Sequence, residues 1–119
     1  MTVKHVDDIS VNEVPAGSGT SVQVLISGEE APNFALRRFI MEPGGGMPLH
    51  TNSVEHEQYV LRGRARVTIG DEEFEVRAGN TVFIPAGVPH SYRSVGEEPF
   101  EFLCSVPNEP DTVEILESG

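Results

Sequence analysis

Cysteine is nearly absent from this chain of 119 residues, since Cys104 is the only one. A single thiol cannot form an internal disulfide, so nothing in the sequence marks an oxidising compartment. Long hydrophobic runs are missing as well. No apolar stretch approaches the roughly 20 residues of a membrane span, and the N-terminus lacks the apolar segment of a signal peptide. We therefore expect a cytoplasmic protein with no membrane partner.

Positive charge is also scarce. Eight lysine and arginine residues stand against 19 acidic ones, which gives a formal net charge of -11, and Lys4 is the only lysine. A field of this sign repels phosphate backbones, so a nucleic-acid partner is not expected.

A helical pattern is missing too, and the dominant period is two. The alternating segments are short, rich in β-branched and aromatic residues, and separated by glycine or proline. They are Thr20–Ser27, Asn33–Glu42, Glu57–Arg62, Arg64–Ile69, Glu73–Arg77, Thr81–Ile84 and Phe100–Val106. Gly70-Asp71 reads as a hairpin turn and Ala78-Gly79-Asn80 as the next corner. The pattern predicts an all-β sandwich or barrel, with the jelly roll as one solution.

The length suits a single domain over residues 1–119. We expect its barrel at about residues 20–107, with loose tails at 1–15 and 108–119. An N-terminal strand at the barrel edge would offer unpaired backbone groups to a second copy, so a homodimer is expected.

Three of the four histidines belong to two short patterns. His50 and Asn52 are two residues apart, so on a strand both side chains point to the same face. His56 follows a turn, and His90 follows the rigid segment 85–89. Neutral imidazoles that converge in an apolar interior bind borderline divalent metals well.

The segments GGGMPLHTNSVEHEQYVLRG and GNTVFIPAGVPHSYRS carry these histidines. They resemble the two motifs of the cupin superfamily, with Gly44, His50, Gly63, Gly79, Pro85, Gly87 and His90 at matching spacing. The likeness is strongest to small single-domain bacterial cupins with a four-histidine manganese site, and it extends from Ala31 to Pro107. It implies a cupin jelly-roll barrel and a divalent metal, with manganese ranked above iron, copper, nickel and zinc.

Three positions bear on which residues would bind the metal. His56 occupies the superfamily's usual glutamate position, as in the four-histidine subgroup. Asn52 stands where that subgroup has its second histidine, and Ser94 stands where the second motif closes with asparagine. The resemblance therefore implies His50, His56 and His90 as metal ligands. Asn52 would be either a weak oxygen ligand or a gap that water fills.

Four further side chains are candidates for the pocket. Phe102 and Cys104 share one face of a strand, and in the resembling subgroup these positions line the cavity; plain core packing is the alternative. Gln58 shares the parity of His56 and could contact bound water. An inward Arg37 would require an acidic substrate or a carboxylate as its partner.

Several neighbouring residues are expected to have no role in the site. Arg38, Glu55 and Glu57 should face outward, and His5 should be a plain surface residue. Glycines 44–46 read as a turn, since no lysine and no helix follow them as in a phosphate loop.

The first functional hypothesis is a metal-dependent oxidoreductase, dioxygenase-like, acting on a small organic molecule. A three-histidine site with open positions can hold a substrate together with dioxygen or water. The alternative is a non-catalytic module that binds or senses a small ligand. No carboxylate belongs to the inferred ligand set, which argues against a general-base isomerase, and His90 has no partner for metal-free isomerisation. The catalytic residues are not identified by the sequence.

Overall fold

The structure, a computed structural model, describes residues 1–117 and is all-β. Short alternating runs form the strands because side chains of one parity bury while the others meet water. A short 3-10 turn, Val6–Asp8, precedes ten strands. The strands are β1 Asn12–Glu13, β2 Ser18–Ile26, β3 Phe34–Asn52, β4 His56–Arg62, β5 Arg64–Ile69, β6 Glu72–Arg77, β7 Thr81–Ile84, β8 His90–Val95, β9 Phe100–Pro107 and β10 Val113–Ile115.

The strands form one antiparallel sheet that curls on itself as a jelly-roll barrel, which confirms the expected fold. Its order is β6-β5-β8-β3-β9-β4-β7. β2 and β10 pair with β3, and β1 pairs with β2. β3 therefore has partners on both sides from Leu36 to Met41 and again at Gly46 and His50. In the part of the chain that the structure describes, no helix is long and apolar enough to cross a membrane.

The glycines 44–46 do not form a separate turn, because they lie inside β3. The strand pairs with β9 from Phe34 to Met41 and then with β8 from Gly46 to His50. Gly44 has φ +82°, which side chains rarely adopt, and a Cβ on Gly46 would lie 1.9 Å from the carbonyl oxygen of Tyr92. The three glycines thus let one long strand bend from one part of the sheet into the next.

The two predicted corners are confirmed. Gly70-Asp71 joins β5 to β6 in a two-residue hairpin, with Ile69 opposite Glu72 and φ of +59° at Gly70. Gly79, with φ +94°, lies in the turn that leads to β7. These positive φ values are the reason that glycine occupies both corners.

Parts of both predicted tails are paired rather than loose. Residues Asn12–Glu13 pair with Val22 and Ser21, and so cover two positions of the β2 edge. Val113–Ile115 pairs with β3 at Asn52, Thr51 and His50. This C-terminal strand therefore lies directly beside His50 and Asn52, two of the predicted metal ligands. Residues 118 and 119 of the second predicted tail lie outside the described residues.

The core is formed by inward side chains of the central strands. Its largest fully buried apolar members are Phe100, Phe102, Met41, Ile84, Val60 and Val67. These side chains lie on the inner face of the sheet, together with His50, His56 and His90, which are also buried. The fold thus places three imidazoles at one end of an apolar interior.

Candidate metal centre

His50 and His90 lie opposite each other on the paired strands β3 and β8, with their ring centroids 4.2 Å apart. The Nδ1 atom of His50 lies 2.8 Å from the carbonyl oxygen of Pro48, and that of His90 lies 3.0 Å from the carbonyl oxygen of Val88. A carbonyl oxygen only accepts, so Nδ1 donates in both rings and the lone pair is left on Nε2. Backbone carbonyls commonly orient metal-binding histidines in this way.

His56 opens β4 and pairs with Ile84 of β7. Its ring centroid is 5.9 Å from that of His90, and its Nδ1 is 3.5 Å from Sγ of Cys104. The Nε2 atoms of His56 and His90 are both buried and have no hydrogen-bond partner. Unpaired buried nitrogens are costly, so these two atoms indicate a ligand that the protein itself does not provide.

Both of these imidazoles are neutral at pH 7. Burial lowers the pKa of His56 to about 4, and the nearby charge of Arg37 adds to that shift. Burial likewise lowers the pKa of His90 to about 4. Metal ions bind the unprotonated ring, so no proton has to leave either histidine at neutral pH.

Asn52, the last residue of β3, is held by the C-terminal segment. Its Nδ2 donates to Oδ2 of Asp111 at 2.9 Å, and the backbone N–H of Ser53 donates to Oδ1 of the same carboxylate at 2.9 Å. A carboxylate only accepts, so the Asn52 oxygen must point away from Asp111. That oxygen, Oδ1, is buried and unpartnered.

The histidine nitrogens and the Asn52 oxygen do not form a preorganised coordination shell. Within residues 1–117, no group of three or more His, Cys, Asp and Glu side chains is arranged to hold an ion. The unpartnered atoms of His56, His90 and Asn52 are nevertheless imidazole nitrogens and an amide oxygen, which are donor types that divalent transition metals accept. The residue set therefore fits a metal, and the rings would have to close on the ion as it binds.

A cavity of about 440 Å³ opens beside the histidines. Phe39 and Phe102 stack with their centroids 5.2 Å apart, and Phe102 stacks on Tyr92 at 5.4 Å, which gives the cavity an aromatic wall. Aliphatic residues complete the lining, among them Val22, Val24, Met41 and Met47. A mostly apolar cavity with a few polar groups is typical of small-molecule sites.

The predicted pocket residues take different places in this cavity. Arg37, Gln58 and Phe102 line it. Cys104 is fully buried behind the wall, where its Sγ contacts His56. Gln58 donates through Nε2 to the hydroxyl of Tyr92 at 2.7 Å.

The side chains expected outside the site are indeed elsewhere. Glu55, Glu57 and His5 are exposed, and Arg38, which does not line the cavity, forms an ion pair with Glu101. Ser94 is buried on β8, and its hydroxyl has no partner.

Sequence reasoning missed several residues that line the cavity, and two of them, Tyr92 and Asp111, carry polar groups that contact predicted site residues. Tyr92 lies two positions after His90 on β8, so strand parity alone could have identified it. Asp111 follows the last predicted strand, in a segment with no hydrophobic alternation, and no sequence signal marked it. Its position follows from the pairing of β10 with β3, which only the fold provides.

Comparison with known proteins places this geometry in a family. The family model described as a cupin domain, Cupin_2, matches residues 37–106. An uncharacterized protein of Methanocaldococcus jannaschii is 35% identical over 86 residues, which cover 70% of this chain and 69% of that protein. Quercetin 2,3-dioxygenase of Bacillus subtilis is 41% identical over 51 residues, but these are 42% of this chain and 15% of that enzyme.

A solved structure matches along the full chain. The polyketide cyclase RemF of Streptomyces resistomycificus superposes with a TM-score of 0.90 at 31% identity, covering 100% of this chain and 87% of that one. The two motifs, the curled sheet and the matched family model agree. This chain belongs to the cupin family, as a small cupin-2 domain protein.

Proposed function

We propose that this chain is a metal-dependent enzyme that converts a small organic substrate by a redox-neutral cyclisation or condensation, as a polyketide cyclase does. The observation that carries the proposal is the cavity itself, in which unpaired imidazole nitrogens adjoin an aromatic and aliphatic wall. The full-length likeness to a polyketide cyclase supports this reaction class. Cupins commonly bind divalent metals, and manganese is the ion proposed first.

The chain's own residues would bind and orient the substrate. The aromatic wall packs against a planar apolar body, and the burial of Tyr92 raises its hydroxyl pKa, so the hydroxyl keeps its proton. That hydroxyl already accepts from Gln58, so its proton is free to be donated to a substrate oxygen. A bound divalent ion would supply Lewis acidity towards a substrate carbonyl.

A dioxygenase-like reaction is the second candidate. The local identity to quercetin 2,3-dioxygenase favours it, and a three-histidine site leaves coordination positions open. The cyclase reaction is preferred because its likeness extends over the whole chain, whereas the dioxygenase match covers 15% of that enzyme.

Oxygen dependence separates the two reactions. Metal-loaded protein would be incubated with poly-β-keto thioester mimics and with flavonols, with and without dioxygen, while oxygen uptake and product mass are followed. Cyclisation should proceed without oxygen and yield products that have lost water. Oxygen uptake coupled to products that gain oxygen atoms would favour the dioxygenase. Binding without turnover in either atmosphere would contradict both and leave a binding or sensing module.

Metal content requires its own measurement. Protein purified without chelator or affinity tag should contain a divalent transition metal by elemental analysis. Metal-free protein that takes up none of the five candidate ions, manganese, iron, copper, nickel and zinc, would contradict the proposal before any substrate is tested.

A further inference from the structure

Arg37 brings a positive charge to the cavity and meets no negative group there. Its guanidinium carbon lies 5.1 Å above the ring of Phe39, and its Nη2 is 3.9 Å from Sγ of Cys104. Its Nε is buried and has no hydrogen-bond partner. Among residues 1–117, no carboxylate oxygen lies within 4.0 Å of its nitrogens.

The neighbouring groups do not neutralise this charge. Burial raises the pKa of the Cys104 thiol, so the sulfur is not a thiolate at neutral pH. Two carboxylates line the cavity, but Asp111 is bonded to Asn52 and Ser53, and Glu13 is exposed. A partly buried cation without a counter-charge is costly, so the missing partner has to come from outside the chain.

The aromatic wall leads from this charge to the histidines. Arg37 lies on Phe39, Phe39 stacks on Phe102, and Phe102 stacks on Tyr92. The ring of Tyr92 meets that of His90 edge to face, with centroids 5.8 Å apart. A planar ligand lying along this wall would have one end at the guanidinium and the other near His90.

We propose that Arg37 forms an anion subsite, which binds a carboxylate or enolate oxygen of a planar, mostly apolar substrate. This inference deepens the proposed function by naming the substrate class, while the subsite itself requires no metal. A guanidinium presents several N–H donors to such an oxygen, and charge-assisted hydrogen bonds are the strong ones. In a chain of net charge -11, an anion would bind only where a positive group is concentrated.

Metal-free protein tests the subsite directly. Isothermal titration would compare 2-naphthoate with 2-naphthamide, which share a ring system and differ in charge. We expect naphthoate to bind about 10- to 100-fold more tightly, as a charge-assisted contact implies. Arg37→Gln should abolish this preference, and Arg37→Lys should keep part of it.

Arg93→Gln is the matched control. Arg93 is exposed in an adjoining groove of about 470 Å³, whose lining includes Arg66 but not Arg37, and the substitution removes the same charge. The control should keep the full preference for naphthoate. Loss of the preference in Arg93→Gln would indicate that the anion binds in that groove, and it would overturn the proposal.

Equal binding of naphthoate and naphthamide to the unaltered protein would also overturn the proposal, and this comparison stands even if a variant fails to fold. Retained preference in a folded Arg37→Gln protein would do the same. Failure of the proposed function can be distinguished from failure of the anion subsite. If metal-free protein prefers naphthoate but metal-loaded protein shows no turnover, the proposed function fails and the subsite remains supported.

Discussion

His56 differs from the other two histidines in what holds its ring. His50 and His90 rely on backbone carbonyls, which substitution does not remove, whereas Nδ1 of His56 faces the sulfur of Cys104. Binding of an ion at Nε2 requires the proton on Nδ1, and in that tautomer Nδ1 would donate to Sγ, which lies 3.5 Å away. The metal affinity should therefore depend on Cys104 although that residue is not a ligand.

We expect Cys104→Ala to weaken metal binding about tenfold, as loss of a group that orients a ligand typically does. Cys104→Ser keeps an acceptor at this position and should bind nearly as well as the unaltered protein. Isothermal titration of the metal-free proteins measures both. Equal affinity in the alanine variant, with its fold intact by circular dichroism, would show that the sulfur does not orient the ring.

Asn52 should contribute far less to metal binding than any histidine. A neutral amide oxygen is a weaker donor than imidazole, so Asn52→Ala should change the affinity little. His50→Ala, His56→Ala and His90→Ala should each cost roughly tenfold or more, because each removes one of three imidazoles. Asn52→His should tighten binding. Equal losses in titrations of all four alanine variants would show that the amide is a full ligand.

At the scale of elements, the C-terminal segment supports the end of β3. The Asp111 carboxylate accepts from the Asn52 amide and from the backbone N–H of Ser53. Asp111→Ala should reduce the free energy of unfolding by about 1–3 kcal/mol, because it leaves a part-buried amide without its charged partner. Urea denaturation measures the change.

Glu109→Ala is the control for this prediction. Glu109 is exposed in the same segment, and its loss removes the same charge. This variant should unfold at nearly the urea concentration of the unaltered protein. If both substitutions cost the same stability, the effect would come from net charge and the Asp111 contacts would contribute nothing measurable.

The fold could be predicted from the sequence where parity and turn residues agree. The β5–β6 hairpin is one such case, because alternating runs flank Gly70-Asp71. β8 is not among the predicted strands, since its outward residues Ser91 and Arg93 are polar and its inward residues are His90, Tyr92 and Ser94 rather than aliphatic. β10 is three exposed residues long, and it is a strand only because β3 pairs with it.

The same distinction, between what a local sequence pattern predicts and what only the fold provides, applies to the residues of the candidate site. The histidines could be assigned to strands because their motifs fix their positions, whereas strand parity allowed an inward Arg37 without deciding it. The contacts of Asn52 with Asp111 and of His56 with Cys104 join residues 59 and 48 positions apart. Such contacts depend on strand order and register, which no local pattern encodes.

At the scale of the whole molecule, acid should destabilise the metal-free protein. His56 and His90 have folded-state pKa values of about 4 against 6.5 for the free side chain. Between these values the unfolded chain binds more protons than the folded one, so stability falls as the pH falls from 6.5 to 4. Each histidine contributes at most about 1.4 kcal/mol per pH unit in that window.

Calorimetry of metal-free protein across this window measures the slope. His56→Gln should reduce it, whereas His5→Gln, which alters an exposed residue that does not line the cavity, should leave it unchanged. An identical slope in His56→Gln and in the unaltered protein would show that His56 does not contribute to the acid sensitivity.

Self-association also stays a prediction at this scale. β1 covers the β2 edge at Ser21 and Val22, so a second copy would have to pair with the uncovered remainder of that edge. We expect the mass of a homodimer by light scattering at tens of micromolar, and Val24→Pro should shift the mass to that of the monomer. A monomeric mass for the unaltered protein would contradict this expectation.

The two tyrosines occupy opposite environments in a chain that has no tryptophan. Tyr59 is 47% exposed on the surface, whereas Tyr92 is buried with its ring against His90. Intrinsic fluorescence therefore has two emitters, of which only one adjoins the candidate metal centre. A paramagnetic ion at His90 should quench the Tyr92 emission and spare that of Tyr59. Metal occupancy of the site can therefore be followed by intrinsic tyrosine fluorescence, without a label.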